Sequence, residues 1–304
     1  MTPPKVVWSP AYEVDLGAHV FPTQKYRLVR ELLLAGSTVG PQDFVEPEAV
    51  SAEQLARAHT PEYLRKIRED GFSPAERFLL EVPFTREVER ASLICCGGTV
   101  LAGRLALRDG VAVHLGGGFH HAFADHGEGF CLLNDVAVAA KALLEEGLVE
   151  RVLVVDLDVH QGNGTADIFR GDGRVFTFSM HQQNNYPLDK AASDLDVGLP
   201  DGTGDASYLA LLEANLARVV ELHRPELAFY LAGADPFRED QLGGLALTPE
   251  GLRARDAYVL ASLREAGCAV AVTLAGGYAL HVADTTSIHA ATVEEAFRTA
   301  NRSG

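Results

Sequence analysis

A short segment of the sequence combines carboxylate and imidazole side chains in a spacing that suits a metal ion. Residues 156–160, with the sequence DLDVH, directly follow the apolar run at residues 152–155. Along an extended chain alternate side chains point the same way, so we expect Asp156, Asp158 and His160 to face one side. Carboxylate oxygen and imidazole nitrogen are the ligands that an open, hydrolytic Zn²⁺ site uses where thiolates are absent. Asp158 and His160 are therefore predicted to be two zinc ligands.

The third ligand must come from a different strand end. Asp235 is the best candidate, because it follows an apolar run and stands in a turn of small residues. Taken alone, an aspartate in such a position is more often a helix N-cap or a turn residue. The convergence of several polar segments on one edge of a sheet favours the metal site. Three protein ligands would leave one coordination position for water.

Two other predicted strands also end in segments that could carry chemistry. The sequence GGGFHH at residues 116–121 follows the run at 111–115, and AGGY at 275–278 follows the run at 269–274. The three glycines could cradle a phosphate, but they lack the G-x-G-x-x-G spacing and no Walker-type lysine follows them. In the segment 127–131, Gly129 could let the backbone approach a ligand closely. For Phe130 and Cys131, a position in the core is an equally good interpretation.

The elements that position these segments follow from the alternation of β-branched apolar runs with helical patterns, which predicts an α/β fold with a parallel sheet covered on both faces. In such sheets, ligands bind beyond the carboxyl ends of the strands. Nothing in composition separates the helical first third from the rest, so one domain over residues 1–304 is expected. Strands are predicted at 5–8, 111–115, 152–156, 175–179, 227–231 and 269–274, and helices after Ser51, after Thr60, after Ser73, and at 86–108, 134–146, 205–222, 249–266 and 285–299.

Composition limits the classes of function. The 304 residues carry a net charge of −16 and contain no Lys/Arg-rich run, which argues against direct nucleic-acid binding and mildly favours cationic substrates. The four cysteines have no metal-ligand spacing and are expected to be reduced and mostly buried. No segment looks long and apolar enough to span a bilayer, and no signal sequence is recognisable at the N-terminus. A cytoplasmic protein is expected, and its oligomeric state stays open.

These segments together resemble the zinc-dependent histone deacetylase family, within the arginase-like α/β superfamily. The resemblance extends over nearly the whole chain and is closest to the class IV type and its bacterial relatives. The matching segments, in the family's order, are 116–121, 129–135, 156–164, 232–235 and 276–278, and the class IV signs lie at 161–164, 186–187 and 240–245.

The resemblance implies roles for most of the residues introduced above. Zn²⁺ would be held by Asp158, His160 and Asp235, with one metal ion per chain because Gly162 and Gly233 stand where arginase-like binuclear sites have carboxylates. Tyr278 would be the oxyanion donor. The substrate-binding residues would be Gly129 and Phe130. A structural K⁺ beneath the site would use Asp156, Asp158, His160, Ser179 and Met180.

The same resemblance implies a division of labour between the two histidines. His121, with the neutral partner Asn163, would be the general base. His120 beside Asp156 would orient the substrate and stabilise charge, because a carboxylate partner keeps an imidazole largely protonated. A rim aspartate that grips the substrate backbone in class I members has no recognisable equivalent around residues 82–87.

The implied activity is the removal of acetyl or longer acyl groups from lysine side chains of proteins or peptides. One alternative is the same chemistry on acylated polyamines or other small amides. A second is a non-hydrolytic sensor that binds acyl-lysine or a metabolite, which is disfavoured because all the expected catalytic side chains are present.

Overall fold

A computed structural model describes residues 4–302 and has at its centre an eight-stranded sheet in which each neighbouring pair of strands is parallel. The strand order across the sheet is β2-β1-β3-β8-β7-β4-β5-β6. The predicted α/β class is therefore confirmed. The strands are β1 (Lys5–Val7), β2 (Phe44–Val45), β3 (Val111–His114), β4 (Val152–Asp156), β5 (Val175–Gln182), β6 (Leu195–Leu199), β7 (Leu227–Leu231) and β8 (Ala269–Thr273).

Helices cover both faces of this sheet, as the uninterrupted apolar strands require. Helix α5 packs on β3, β7 and β8 from one side, whereas α8, α9 and α10 pack on strands from the other. The helices are α1 (Lys25–Ala35), α2 (Ala52–Ala58), α3 (Pro61–Glu69), α4 (Pro74–Leu80), α5 (Arg86–Asp109), α6 (Asp135–Glu145), α7 (Asn163–Ile168), α8 (Asp205–His223), α9 (Pro249–Glu265) and α10 (Val282–Arg302).

The central strands divide their side chains between two hydrophobic layers with a period of two residues. Val113 and Tyr230 belong to the layer beneath α8, α9 and α10, whereas their neighbours Ala112 and Phe229 belong to the layer beneath α5 and α6. All four are fully buried. Because both faces are covered, these strands read as continuous apolar runs, which is why the sequence located them well.

The helix starts predicted in the first third are also confirmed. Ser51, Thr60 and Ser73 each accept a hydrogen bond from the backbone N–H three residues later, so each is an N-cap. Helix α5 continues through Gly97 and Gly98 without a break. A Cβ at Gly98 would lie 2.5 Å from the Tyr12 hydroxyl, so this glycine serves close packing.

Four elements were missing from the prediction: α1, α7 and the edge strands β2 and β6. Strand β2 has only two residues, and β6 alternates half-buried with exposed side chains and ends in Gly198-Leu199, so neither makes an apolar run. Strand β5 also continues three residues further than predicted, to Gln182.

Two expectations drawn from composition can be compared with the structure. All four cysteines are free and buried. Within residues 4–302, one helix, α5, is long and apolar enough by length and composition to cross a membrane, whereas no such segment was predicted. Half of its most apolar stretch is buried, and the helix packs on α6 and on the sheet.

Candidate active site and metal centre

The site lies at the carboxyl ends of β3, β8, β7 and β4, which are neighbours at the centre of the sheet. Each of these strands is followed directly by one of the segments predicted to carry chemistry. Parallel strands present their carboxyl ends at one edge, so four segments distant in sequence meet in one place.

Asp158, His160 and Asp235 form a buried group whose ligand atoms all lie within 4.8 Å of one another. His160 Nδ1 is 3.1 Å from Asp158 Oδ1 and 3.5 Å from Asp235 Oδ2. Within residues 4–302 this is the one cluster of three or more His, Cys, Asp or Glu side chains with metal-ligand geometry. Asp235 Oδ2 is buried and has no hydrogen-bond partner. An oxygen–nitrogen–oxygen donor set with an unsatisfied carboxylate oxygen fits a divalent cation such as Zn²⁺.

Backbone amides hold the two carboxylates from outside the group. The N–H of Val159 donates to Asp235 Oδ1, and the N–H of Gly276 donates to Asp158 Oδ2, both at 2.8 Å. A Cβ on Gly276 would overlap Asp235 Oδ2 and lie 2.5 Å from Asp158 Oδ2. Only glycine lets the backbone approach these carboxylates so closely.

The convergence of Asp158 and His160 has a different cause from the predicted one. Strand β4 ends at Asp156, and residues 158–160 form bends, so strand alternation does not extend through them. Instead, each aspartate carboxylate accepts a hydrogen bond from the backbone N–H two residues later. The N–H of Asp158 donates to Asp156 at 3.2 Å, and the N–H of His160 donates to Asp158 at 3.0 Å. The expectation of an extended strand through His160 was therefore wrong, and the Asp156 carboxylate lies 2.7 Å from His120 Nδ1.

The electrostatics of the group favour a positive charge at its centre. Burial lowers the pKa of His160, but Asp158 and Asp235 outweigh this effect and raise it to about 10. Burial, reinforced by the charge of Asp158, raises the pKa of Asp235. A proton on His160 and a divalent cation therefore compete for the same carboxylates.

Two adjacent histidines stand beside this group in opposite electrostatic settings. His120 Nδ1 is 2.7 Å from Asp156 Oδ2, and the Nε2 atoms of His120 and His121 are 3.1 Å apart. Burial lowers the pKa of His120, but Asp156 and Asp158 more than offset it and raise the value to about 9. Burial, together with the charges of His120 and His160, keeps the pKa of His121 well below its usual range. At neutral pH one ring is thus an imidazolium and the other a neutral imidazole.

The partner of His121 is Asn163, the first residue of α7. Asn163 Oδ1 lies 2.7 Å from His121 Nδ1, and both side chains are buried. Gly129 packs against the same ring, because a Cβ there would lie 2.8 Å from His121 Cδ2. The close backbone approach expected at Gly129 is therefore to a histidine of the protein itself.

Tyr278 is placed by the loop that follows β8. Its backbone N–H donates to Asp240 Oδ2 at 2.6 Å, and its ring makes edge contacts with Phe21 and Phe130. Burial, with the nearby carboxylates of Asp158 and Asp235, raises the pKa of the Tyr278 hydroxyl well above 10. The hydroxyl therefore stays protonated and can donate a hydrogen bond.

Together these side chains form the floor of an open pocket of about 210 Å³. Gly129 and Phe130 line it together with Phe21, and the substrate-binding role that the resemblance implied for Gly129 and Phe130 stays a prediction. Besides Asp158, the pocket has a second acidic side chain, Glu81, one residue before the segment 82–87. None of the lining residues is a lysine or an arginine.

No sequence pattern pointed to Lys25, which lies fully buried behind Tyr278. Its ammonium donates to the backbone oxygen of Ala275 at 2.7 Å and stands 5.7 Å from the centre of the Tyr278 ring. Burial lowers the pKa of Lys25 to about 8, against the opposing pull of Asp235 and Asp158. A single lysine outside any recognisable pattern carries no signal of burial, and lysine is rarely buried completely.

The K⁺ site implied by the resemblance stays a prediction. Ser179 lies opposite Asp156 in the pairing of β4 with β5, and Met180 follows it. The Ser179 hydroxyl is 2.9 Å from His181 Nδ1, and Asp156 is shared between His120 and the backbone.

The absence of arginase-like carboxylates at Gly162 and Gly233 has a steric counterpart. A Cβ at Gly162 would overlap Asp156 Oδ2, and one at Gly233 would lie 2.8 Å from Asp158 Cα. Neither position has room for a second set of ligands while the surrounding side chains keep their places.

Comparison with known proteins places this site in a family context. The family model for the histone deacetylase domain matches residues 19–293. An uncharacterised protein from Picosynechococcus is 41% identical over 93% of this chain and 95% of its own length. Histone deacetylase 2 of Arabidopsis thaliana is 30% identical over 90% of this chain and 74% of its own length.

Solved structures share the fold at lower identity. A crystal structure of a histone deacetylase homologue complexed with SAHA superposes with a TM-score of 0.83 at 24% identity, covering 97% of this chain and 84% of that one. A homologue from Aquifex aeolicus gives a TM-score of 0.81 at 24% identity, covering 95% of this chain and 82% of that one.

Proposed function

Because this chain belongs to the histone deacetylase family, we propose that it is a zinc-dependent amidohydrolase that removes acetyl or longer acyl groups from lysine side chains of proteins or peptides. The observation that carries the proposal is the meeting of three components at one pocket floor: the Asp158/His160/Asp235 group, a charged and a neutral histidine, and a protonated tyrosine. Metal-assisted amide hydrolysis uses a Lewis acid, a base and an oxyanion donor; the first component would hold the Lewis acid, and the other two would supply the base and the oxyanion donor.

The proposed metal ligands are Asp158, His160 and Asp235. When bound there, Zn²⁺ would polarise the amide carbonyl and make an attacking water more acidic. The rest of the reaction depends on the side chains around the ligands.

The proposed general base is His121. A base must be unprotonated at the operating pH, and burial beside two other histidines keeps this ring neutral. With Nδ1 turned to Asn163, its unprotonated nitrogen is Nε2, which lies 3.1 Å from His120 Nε2 and faces the pocket. His121 would take the proton from water through Nε2.

The proposed roles of His120 and Tyr278 concern charge and the leaving group. The imidazolium of His120, held by Asp156, would orient the substrate and stabilise the negative charge that develops on the former carbonyl oxygen. The Tyr278 hydroxyl would donate to the developing oxyanion. The proton taken up by the histidine pair would then pass to the departing amine, which leaves as a neutral group.

The pocket walls suit the linear part of an acylated lysine. Phe21, Phe130 and Tyr186 line the pocket and can pack on a methylene chain, with the phenylalanine rings 6.2 Å apart and almost parallel. The Glu81 carboxylate can accept hydrogen bonds from the substrate backbone. We therefore propose Glu81 as the rim residue that binds the substrate backbone, for which the sequence alone showed no candidate.

A second candidate substrate is an acylated polyamine, and one observation favours it. Glu81 brings negative charge to a pocket without lysine or arginine, in a chain of net charge −16. Such a field attracts a substrate that carries further ammonium groups.

The test is a hydrolysis panel of acetyl-lysine and longer acyl-lysine peptides and mono-acylated polyamines of matched acyl length, measured on zinc-loaded protein. The proposal predicts higher kcat/KM for the peptides, and SAHA, the compound bound in the structural neighbour, should compete with them. Higher kcat/KM for the polyamines would establish the second candidate. If the zinc-loaded, folded protein hydrolyses nothing in the panel, the proposed activity is wrong.

A further inference from the structure

Glu128 contacts the partner of the proposed base but has no place in the chemistry described so far. Its Oε1 accepts a hydrogen bond from Asn163 Nδ2 at 2.6 Å, while Asn163 Oδ1 lies 2.7 Å from His121 Nδ1. A continuous chain therefore runs from a carboxylate through a neutral amide to the imidazole. Asn163 and His121 are buried, and the Glu128 side chain is 15% exposed.

The local fold holds Glu128 at this point. Glu128 and Cys131 exchange two backbone hydrogen bonds, of 3.1 and 2.9 Å, across a two-residue turn. The turn residues Gly129 and Phe130 both have positive φ, of 52° and 69°, as a type I′ hairpin turn requires. This turn places the Phe130 side chain in the pocket and the Glu128 side chain next to α7, so one hairpin turn positions both residues.

Glu128 keeps its charge at neutral pH. Burial alone would raise its pKa, but hydrogen bonds from His126, Asn163 and Tyr186 outweigh burial and lower it. A charged carboxylate only accepts hydrogen bonds. The group facing it on Asn163 must therefore be the NH₂ and not the oxygen.

This restriction matters because an asparagine amide can present either its oxygen or its NH₂ to a neighbouring ring. If the oxygen faces His121 Nδ1, the ring must carry its proton on Nδ1, and Nε2, 3.1 Å from His120 Nε2, keeps the lone pair with which it can act as a base. If the amide were reversed, its NH₂ would donate to Nδ1, and the proton of the neutral ring would sit on Nε2. The second arrangement leaves no basic nitrogen toward the pocket.

We propose that Glu128 is a positioning residue that fixes the amide orientation of Asn163 and thereby helps to hold His121 in the tautomer with an unprotonated Nε2. The catalytic consequence rests on the proposed function, in which His121 is the base, whereas the tautomer itself does not. A neutral partner such as Asn163 cannot set the tautomer alone. A proton on His120 Nε2, which lies 3.1 Å from His121 Nε2, favours the same tautomer from the pocket side, and the Glu128 carboxylate supplies the direction from the Asn163 side.

Two substitutions separate charge from shape. Glu128→Gln keeps the shape but can donate as well as accept, so the amide of Asn163 loses its preferred orientation. Glu128→Asp is shorter but still only accepts. Asp125→Asn is the matched control, because Asp125 is an exposed carboxylate of the same loop that contacts His126 and not Asn163.

The direct readout is the tautomer of His121 from ¹⁵N NMR of zinc-loaded, histidine-labelled protein, with the signal assigned by its loss in His121→Gln. The wild-type protein and Asp125→Asn should show the proton on Nδ1. Glu128→Gln should show a substantial Nε2–H population, and kcat should fall about tenfold with KM and zinc content unchanged, since a charge-assisted hydrogen bond is replaced by a neutral one. Glu128→Asp should keep more activity than Glu128→Gln although its shape is less similar.

The proposal is overturned if Glu128→Gln keeps His121 protonated on Nδ1, or if Glu128→Gln retains more activity than Glu128→Asp. Should Glu128→Gln fail to fold, the comparison of Glu128→Asp with wild type decides, because a shortened acceptor must still leave the proton on Nδ1. A wild-type protein that hydrolyses no acyl substrate but shows this pattern of tautomers would refute the proposed function and leave the positioning role intact.

Discussion

Replacing Asn163 by aspartate tests how strongly a charge next to His121 controls its proton. The substitution preserves shape and puts a carboxylate oxygen where Asn163 Oδ1 now lies, 2.7 Å from His121 Nδ1. A negative charge stabilises the imidazolium, so the pKa of His121 should rise. The base would then become available only at higher pH.

The neighbouring Glu128 limits the size of this shift. Glu128 Oε1 lies 2.6 Å from Asn163 Nδ2, and two carboxylates so close share one proton rather than ionising together. In Asn163→Asp alone, part of the new charge is thus neutralised. In Asn163→Asp/Glu128→Gln the new carboxylate is fully charged. At about 4 Å and an effective dielectric constant of about 20, Coulomb's law gives about 4 kcal/mol, an upper bound from which the new carboxylate's own desolvation must be subtracted.

The expected result is an upward shift of about 1–2 pH units in the acid limb of the kcat/KM profile for the double variant, and a smaller shift for Asn163→Asp alone. The profiles should be measured at full zinc occupancy, checked by metal analysis, with Glu128→Gln alone as the reference. An acid limb that stays in place or moves downward in the double variant would refute the assignment of His121 as the base. Equal shifts in both variants would show that Glu128 and position 163 do not share a proton.

Further predictions concern the other parts of the site. Tyr278→Phe should fold and bind zinc but lose about 10²-fold or more in kcat, because one oxyanion donor is missing; a change confined to KM would make Tyr278 a binding residue. Gly276→Ala should lose zinc affinity, because its Cβ overlaps a metal-ligand carboxylate, whereas Gly173→Ala, which has open space around the new Cβ, should bind zinc normally in the same titration. Zinc binding to metal-free protein should release protons, and its affinity should increase from pH 6 to pH 9, because the pKa of His160 is about 10 without metal. Calorimetry in buffers of different ionisation enthalpy measures the number of protons released. An affinity that does not depend on pH would contradict the prediction. In metal-free protein, the pKa of Lys25 is about 8 in the folded state, against 10.5 in the unfolded state. The free energy of unfolding of wild type should therefore increase relative to that of Lys25→Met as the pH rises from 8 to 10.5. Denaturant unfolding at several pH values measures this difference, and a constant difference would show that Lys25 is not desolvated.

The sequence was most informative where apolar runs mark the central strands. Strands β4 and β7 were predicted at their observed bounds, and the rule that ligands bind beyond carboxyl ends then pointed to Asp158, His160 and Asp235. The reasoning succeeded although its local geometry was wrong, because the segment after Asp156 forms bends and not an extended strand. Whether a residue lies in the site depends more on which strand it follows than on the backbone conformation between the strand and that residue.

Residues whose roles depend on contacts between distant, irregular segments could not be found in this way. Lys25 lies in α1 and reaches Ala275, 250 positions later, through packing that no periodicity encodes. Glu128 meets Asn163 only because a hairpin turn directs it there. Glu81 is the C-cap of α4, in a left-handed conformation, and lines the pocket. No sequence motif marks this position.

The most direct test of the account is a zinc titration of metal-stripped protein, following acyl-lysine peptide hydrolysis and bound metal in parallel. The account predicts no turnover without metal and a linear rise that ends at one Zn²⁺ per chain, with Asp235→Ala neither binding this metal nor turning over. Undiminished hydrolysis by metal-free protein, or full turnover in Asp235→Ala, would contradict it.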